Sequence, residues 1–174
     1  MKRFGNAILF QIVWFICVLA GSVWALVATI VYLLIHDRYF MHTRRELRLL
    51  VLFLGLGVLI DGTLFQIGLF SMTATSTGDN LLPPVWLLCL WISVGTLFAH
   101  SLSMLRSRYL LIALMGMIGP PLSYIAGAKL SGITLAEPIF LTLSVVALIW
   151  ALILPLGMWF GERWTIFSEE SENG

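Results

Sequence analysis

From Ala7 to Ile35 the chain runs 29 residues without a charged side chain. A membrane crossing takes about 20 largely apolar residues, within a range of roughly 17–25. The stretch is long for one crossing and short for two, and its resolution sets the topology of everything that follows. Further along, Leu49–Phe70 holds one charge, Asp61, while Leu81–Ala99 and Pro138–Phe160 hold none. Tyr109–Ala128 is also uncharged and contains Gly119-Pro120-Pro121. The 174 residues are 60% hydrophobic and 11% charged, whereas ordinary soluble domains carry about 25% charged residues. A soluble core of this size has no means of hiding so much apolar surface. The composition therefore implies one polytopic membrane domain over residues 1–174.

Positive charge resolves the opening stretch. Short cytoplasmic loops are enriched in Lys and Arg. Here the basic groups are Lys2 and Arg3; Arg38, Arg44, Arg45 and Arg48; Arg106 and Arg108; and Arg163, with Lys129 apart from them. One crossing by Ala7–Ile35 puts the first two clusters on opposite sides. Two crossings, turning at Ala20-Gly21-Ser22, put nine of the ten basic residues on one side. The start also resembles a signal peptide, with "MKR", an apolar run and "VLA" before Gly21. A second apolar run follows at once, without a polar mature N-terminus, which argues against cleavage.

The expected fold class is all-α: a compact polytopic bundle of six transmembrane helices over about 4–19, 22–36, 49–70, 83–103, 109–128 and 138–160. The first two are short, about 24 Å each at 1.5 Å per residue, and the fifth is expected to be broken at Gly-Pro-Pro, where two amide donors are missing. Both termini are expected in the cytoplasm, with residues 161–174 as a short cytoplasmic tail ending in the solvated "SEESENG". Ala113, Gly116, Ser123 and Gly127 form a small-residue face for helix packing, with Gly55, Gly57 and Gly62 as its expected counterpart.

Polar residues within the spans are the candidates for function. An Asp at mid-helix costs about 2.5 to 3.5 kcal/mol on insertion scales, while each Leu, Ile, Phe or Val returns about 0.3 to 0.6. Leu49–Phe70 contains 15 such residues, roughly −5 to −9 kcal/mol in all, so the helix inserts in spite of Asp61. The cost is smallest if Asp61 faces other helices, and an intramembrane acid is a functional hypothesis by default. In "WISVGTLFAHSLSML", Ser93, Thr96, His100 and Ser103 are spaced 3, 4 and 3 apart, which makes one polar stripe on a helix. Imidazole donates and accepts at once and titrates near neutral pH. The expected catalytic pair is accordingly His100 for proton transfer and Asp61 as a second acid or orienting carboxylate. Asn6, Gln11, Trp14, Ser103, Pro120 and Tyr124 are the expected ligand-binding residues. On depth alone, Asn6, Gln11 and His100 would line one cytoplasm-facing pocket with Asp61 at its floor.

Other chemistries find no support in the residues. Cys17 and Cys89 have no partner at metal-ligand spacing, and His100 has no second His or Cys near it in sequence, so no metal and no cofactor are expected. There is no Gly-rich phosphate loop, GxSxG or nucleic-acid motif, and nucleic acid is excluded as a partner. The tryptophans suit membrane cores and interfaces.

The order "NAILFQIVWF", "RRELRLL" with Asp61 beyond it, "PPVWLLCLW" with "AHSLSML", and "GMIGPPLSYIAG" resembles a bacterial inner-membrane family known as domain of unknown function 2878, over about Gly5 to Phe160. The resemblance implies a multi-pass inner-membrane location and, through neighbouring genes for fatty-acid modification, a lipid-linked setting. It carries no activity. The resulting expectation is a protein that binds or modifies a lipid-like molecule, or assists an enzyme that does. A small proton-coupled transporter and a non-catalytic membrane subunit or scaffold stand as alternatives. Membrane lipids are the expected partners, with a membrane protein or a second copy of the chain as further ones.

Overall fold

The computed structural model describes residues 2–72 and 82–167. Most of the polar loop "SMTATSTGDN" and the acidic end "SEESENG" lie outside the described residues. Five α-helices account for most of the rest: α1 (Lys2–Ile35), α2 (Glu46–Gln66), α3 (Val85–Ala99), α4 (Tyr109–Ser131) and α5 (Ile139–Arg163). Segments Phe4–Phe40, Glu46–Gln66, Tyr109–Ser131 and Ile139–Arg163 are long and apolar enough to cross a membrane. Their outward faces carry large apolar side chains such as Ile8, Trp24, Leu59, Ile118 and Leu152, as expected of a surface that meets acyl chains.

α1 is not one straight rod. Gly21 has φ 77° and ψ 176° inside it, a region essentially open only to glycine. Asn6 Nδ2 donates to Tyr32 Oη at 3.2 Å, and Cys17 Sγ lies 3.9 Å from Thr29 Oγ1. In a straight helix residues 6 and 32 would stand about 39 Å apart. The element therefore doubles back at Gly21, and residues 2–20 lie against residues 22–35. A five-residue π-turn, His36–Phe40, follows without a break, and the Phe40 ring comes to rest beside Gly5.

α3 is the axis of the bundle. It packs against both α1 and α2, and Trp86, Leu87, Cys89, Trp91, Phe98 and Ala99 are all buried. At 15 residues it is only about 22 Å long. Its expected continuation to residue 103 does not occur. The helix ends at Ala99, His100 takes φ −123° and ψ −79°, and Ser103–Leu105 form a separate 3₁₀ turn. Ser93, Thr96, His100 and Ser103 are nonetheless all buried, each facing protein.

α4 runs helically through Pro120 and Pro121, so the expected break at Gly-Pro-Pro is not seen. The two prolines leave the carbonyls of Gly116 and Met117 without their usual donors. Tight packing against α5 holds the helix together there. A Cβ on Gly116 would collide with the Trp150 carbonyl, so α5 approaches α4 at that glycine. Of the small-residue face, Gly116 therefore meets α5, while Ser123 and Gly127 face the space between α4 and α1. Gly57 instead admits Trp91 of α3, and Gly55 touches nothing.

The two ends of the bundle differ. At one end, β1 (Phe70–Met72) pairs antiparallel with β2 (Ile133–Leu135), Phe70 opposite Leu135, and ties the exits of α2 and α4 together. This ribbon is an addition to the expected all-α fold. At the other end Arg45 bonds Thr165, Arg106 Nε lies 3.8 Å from Glu162 Oε1, and Arg106 sits over the Phe167 ring at 5.2 Å. The start of the expected 161–174 tail is folded onto the bundle: Ile166 and Phe167 are buried.

Candidate functional site

Two buried polar centres occupy the bundle, and the sequence-predicted residues divide between them. The first is built around Asp61. One turn of α2 presents its carboxylate to α3 and α4, where Trp91 Nε1 donates to Oδ2 at 2.6 Å and Tyr124 Oη donates to Oδ1 at 2.8 Å. Asp61 is fully buried. Each carboxylate oxygen accepts one neutral donor, which is how a buried acid is accommodated without a cation. Trp91 also stacks on Trp150 of α5, ring centroids 4.5 Å apart, so α2, α3, α4 and α5 meet here.

Beside this centre lies an apolar cavity of about 650 Å³ between the first half of α1, α3, α4 and α5. Gln11, Trp14, Pro120 and Tyr124, four of the expected ligand-binding residues, line it. Trp14 Nε1 donates across it to Ser123 Oγ at 2.9 Å. Phe15, Met115 and Leu122 also line it and are exposed on the outer surface, so the cavity opens sideways onto the apolar belt. Its size and lining are those of a site for a small apolar ligand.

The second centre lies at the basic end. His36, Glu46 and His100 are each at most 3% exposed. Their positions follow from three helix boundaries. The π-turn after α1 turns His36 inward, Glu46 is the first residue of α2, and His100 is the first residue beyond α3. Glu46 Oε1 accepts the backbone amides of His42 at 2.8 Å and Thr43 at 3.4 Å. An acid at a helix start also suits the helix dipole. That leaves Oε2 aimed at the imidazoles, 3.2 Å from His36 Nε2 and 3.3 Å from His100 Nε2. The chain has three histidines. The third, His42, is exposed, and its ring centroid is 5.5 Å from that of His100.

Asn6 belongs to this second centre. Its Oδ1 accepts from Ser101 Oγ at 2.9 Å, and its partner Tyr32 meets Thr96 Oγ1 at 2.5 Å. Ser103 caps the same turn by donating to the His100 carbonyl at 2.7 Å. The expected single pocket of Asn6, Gln11 and His100 with Asp61 as its floor is therefore not formed. Gln11 turns outward to the cavity, and Trp91, which holds Asp61, is nine residues before His100 on α3, about 13 Å along a helix. Sequence reasoning missed His36 and Glu46. Both lie in a loop whose charge is explained by topology alone, and only the fold brings them to His100.

The architecture is that of a helical chain with an apolar exterior, a lateral cavity and two polar centres. The family described as proteins of unknown function, DUF2878, matches residues 3–156, and the chain belongs to it. No curated protein sequence and no solved structure matches the chain.

Proposed function

We propose that this is a six-crossing inner-membrane protein, both termini cytoplasmic, that binds a lipid-like molecule in the cavity between α1, α3, α4 and α5. The observation that carries the reading is the cavity itself: about 650 Å³, overwhelmingly apolar, and open to the belt that faces acyl chains. An acyl or isoprenoid chain enters sideways without leaving hydrocarbon. Gln11 and the Trp14–Ser123 pair offer the few polar contacts that orient such a ligand. Asp61 acts from behind the wall, fixing Tyr124 and Trp91 in place. The fold-back at Gly21 supports two crossings by α1. The β1–β2 ribbon supports a shared outer side for the two loops poorest in basic residues. The contacts of Arg45 and Arg106 with the end of α5 support a shared inner side for the basic clusters.

Lipid extraction and mass spectrometry of protein purified in mild detergent test the reading. Gly127 lines the cavity, and a Cβ there meets open space. Gly127→Phe is therefore expected to obstruct the cavity and reduce the co-purifying lipid while the protein stays folded. Equal lipid in wild type and variant would refute the reading.

A further inference from the structure

The second centre has a geometry that hydrogen bonding among its own members does not use up. One oxygen, Glu46 Oε2, is the focus of two imidazole nitrogens at 3.2 and 3.3 Å. His36 Nε2 is aligned to hydrogen-bond it. His100 Nε2 is buried, equally near, and makes no hydrogen bond. One donor atom from each of the three residues lies within 4.8 Å of the others. Donors held at 2.0–2.2 Å from a common tetrahedral centre stand about 3.3–3.5 Å apart. The observed nitrogen–oxygen separations are close to that spacing.

We propose that His36, Glu46 and His100 bind a divalent first-row transition ion such as Zn²⁺. Two imidazoles and a carboxylate are a donor set for such ions, and three protein donors leave a position open for water or substrate. Part of the supporting shell is in place, although His36 Nδ1 is buried without a partner among the described residues. The His42 and Thr43 amides hold Glu46 Oε1 and so aim Oε2, and the His36 ring stacks on Phe40 with a 10° interplanar angle. Groups that orient ligands in this way are part of a working metal site. Exposed His42 stands against His100 at the basic end, ring centroids 5.5 Å apart. The site is distinct from the lipid cavity, whose lining includes none of these residues, and the inference does not depend on the lipid reading.

The test uses the full chain in mild detergent, stripped with chelator and then equilibrated with Zn²⁺ or Co²⁺. Bound metal per chain is counted by elemental mass spectrometry, and Co²⁺ is followed by its visible absorption. About one ion per chain is expected in the wild type. Glu46→Gln and His100→Gln should weaken binding by at least about 100-fold, more than loss of an outer-shell group does. Lys129→Ala, at an exposed position that touches none of these donors, should bind metal as the wild type does. X-ray absorption of the Zn²⁺-loaded wild type should show imidazole ligation, and this decides the matter even if the variants do not fold. Less than about one-tenth of an ion per chain at saturating metal, unchanged affinity in Glu46→Gln and His100→Gln, or a coordination shell without imidazole would each overturn the assignment.

Discussion

Asp61 and Glu46 are both buried acids on α2, yet they are held in opposite ways. Asp61 sits mid-helix, receives one indole and one phenol donor, and borders an apolar cavity. Glu46 sits at the helix start, receives two backbone amides, and faces two imidazoles beside exposed His42. The first arrangement needs no counter-charge and reads as architecture beside an apolar cavity. The second gathers ionisable groups from three helix boundaries around one carboxylate oxygen. The chain thus separates an apolar cavity in its interior from a polar cluster at its basic end.

The sharpest break of this contrast is Glu46→Ala. It strips two buried imidazoles of their shared carboxylate and two loop amides of their acceptor. Breaking a buried charged group of this kind costs about 3–5 kcal/mol, and a detergent thermal melt should register it as the largest loss among the variants described here. Gly21→Val comes next, at about 1–3 kcal/mol, because a branched side chain resists the φ of 77° found there. Residues 22–35 carry the chain to His36, so this variant should loosen metal binding more than lipid retention, measured on the same preparation. Asp61→Asn should cost only about 1 kcal/mol, since an amide carbonyl still accepts one of the two donors. A loss as large as that of Glu46→Ala would erase the distinction between the centres. Arg44→Ala should be smallest, about 0–1 kcal/mol, because its pairing with Asp37 is at the surface.

Much of the fold is legible in the sequence because lipid imposes it. The placement of Lys and Arg points to a turn at Gly21 before any contact is known, and the cost of an intramembrane acid predicts that Asp61 faces protein. Local chemistry is a poorer guide to what packing overrides. Two consecutive prolines announce a break in α4, but α5 seated on Gly116 keeps the helix continuous. The spacing of Ser93, Thr96, His100 and Ser103 announces one helical stripe, but α3 stops at Ala99, and that early stop is what swings His100 toward Glu46. Tyr124, Trp14 and Gln11 stand out in the sequence because they are polar groups within apolar runs, and all three line the cavity. His36 and Glu46 are not, since a His, an Asp and a Glu in a basic loop look like ordinary solvated charge. A three-residue β-ribbon is too short to leave a periodicity.

The second centre depends on the first helix doubling back, because that brings Asn6 and His36 to the end where His100 lies, and the first half of the same helix walls the cavity. Single cysteines in a background lacking Cys17 and Cys89, probed in intact cells with a membrane-impermeant maleimide, test this directly. The account predicts that Phe4→Cys and His42→Cys are both shielded until the membrane is permeabilised, while Lys129→Cys reacts from outside. Labelling of Phe4→Cys from outside with His42→Cys still shielded would mean a single crossing by α1 and would contradict it.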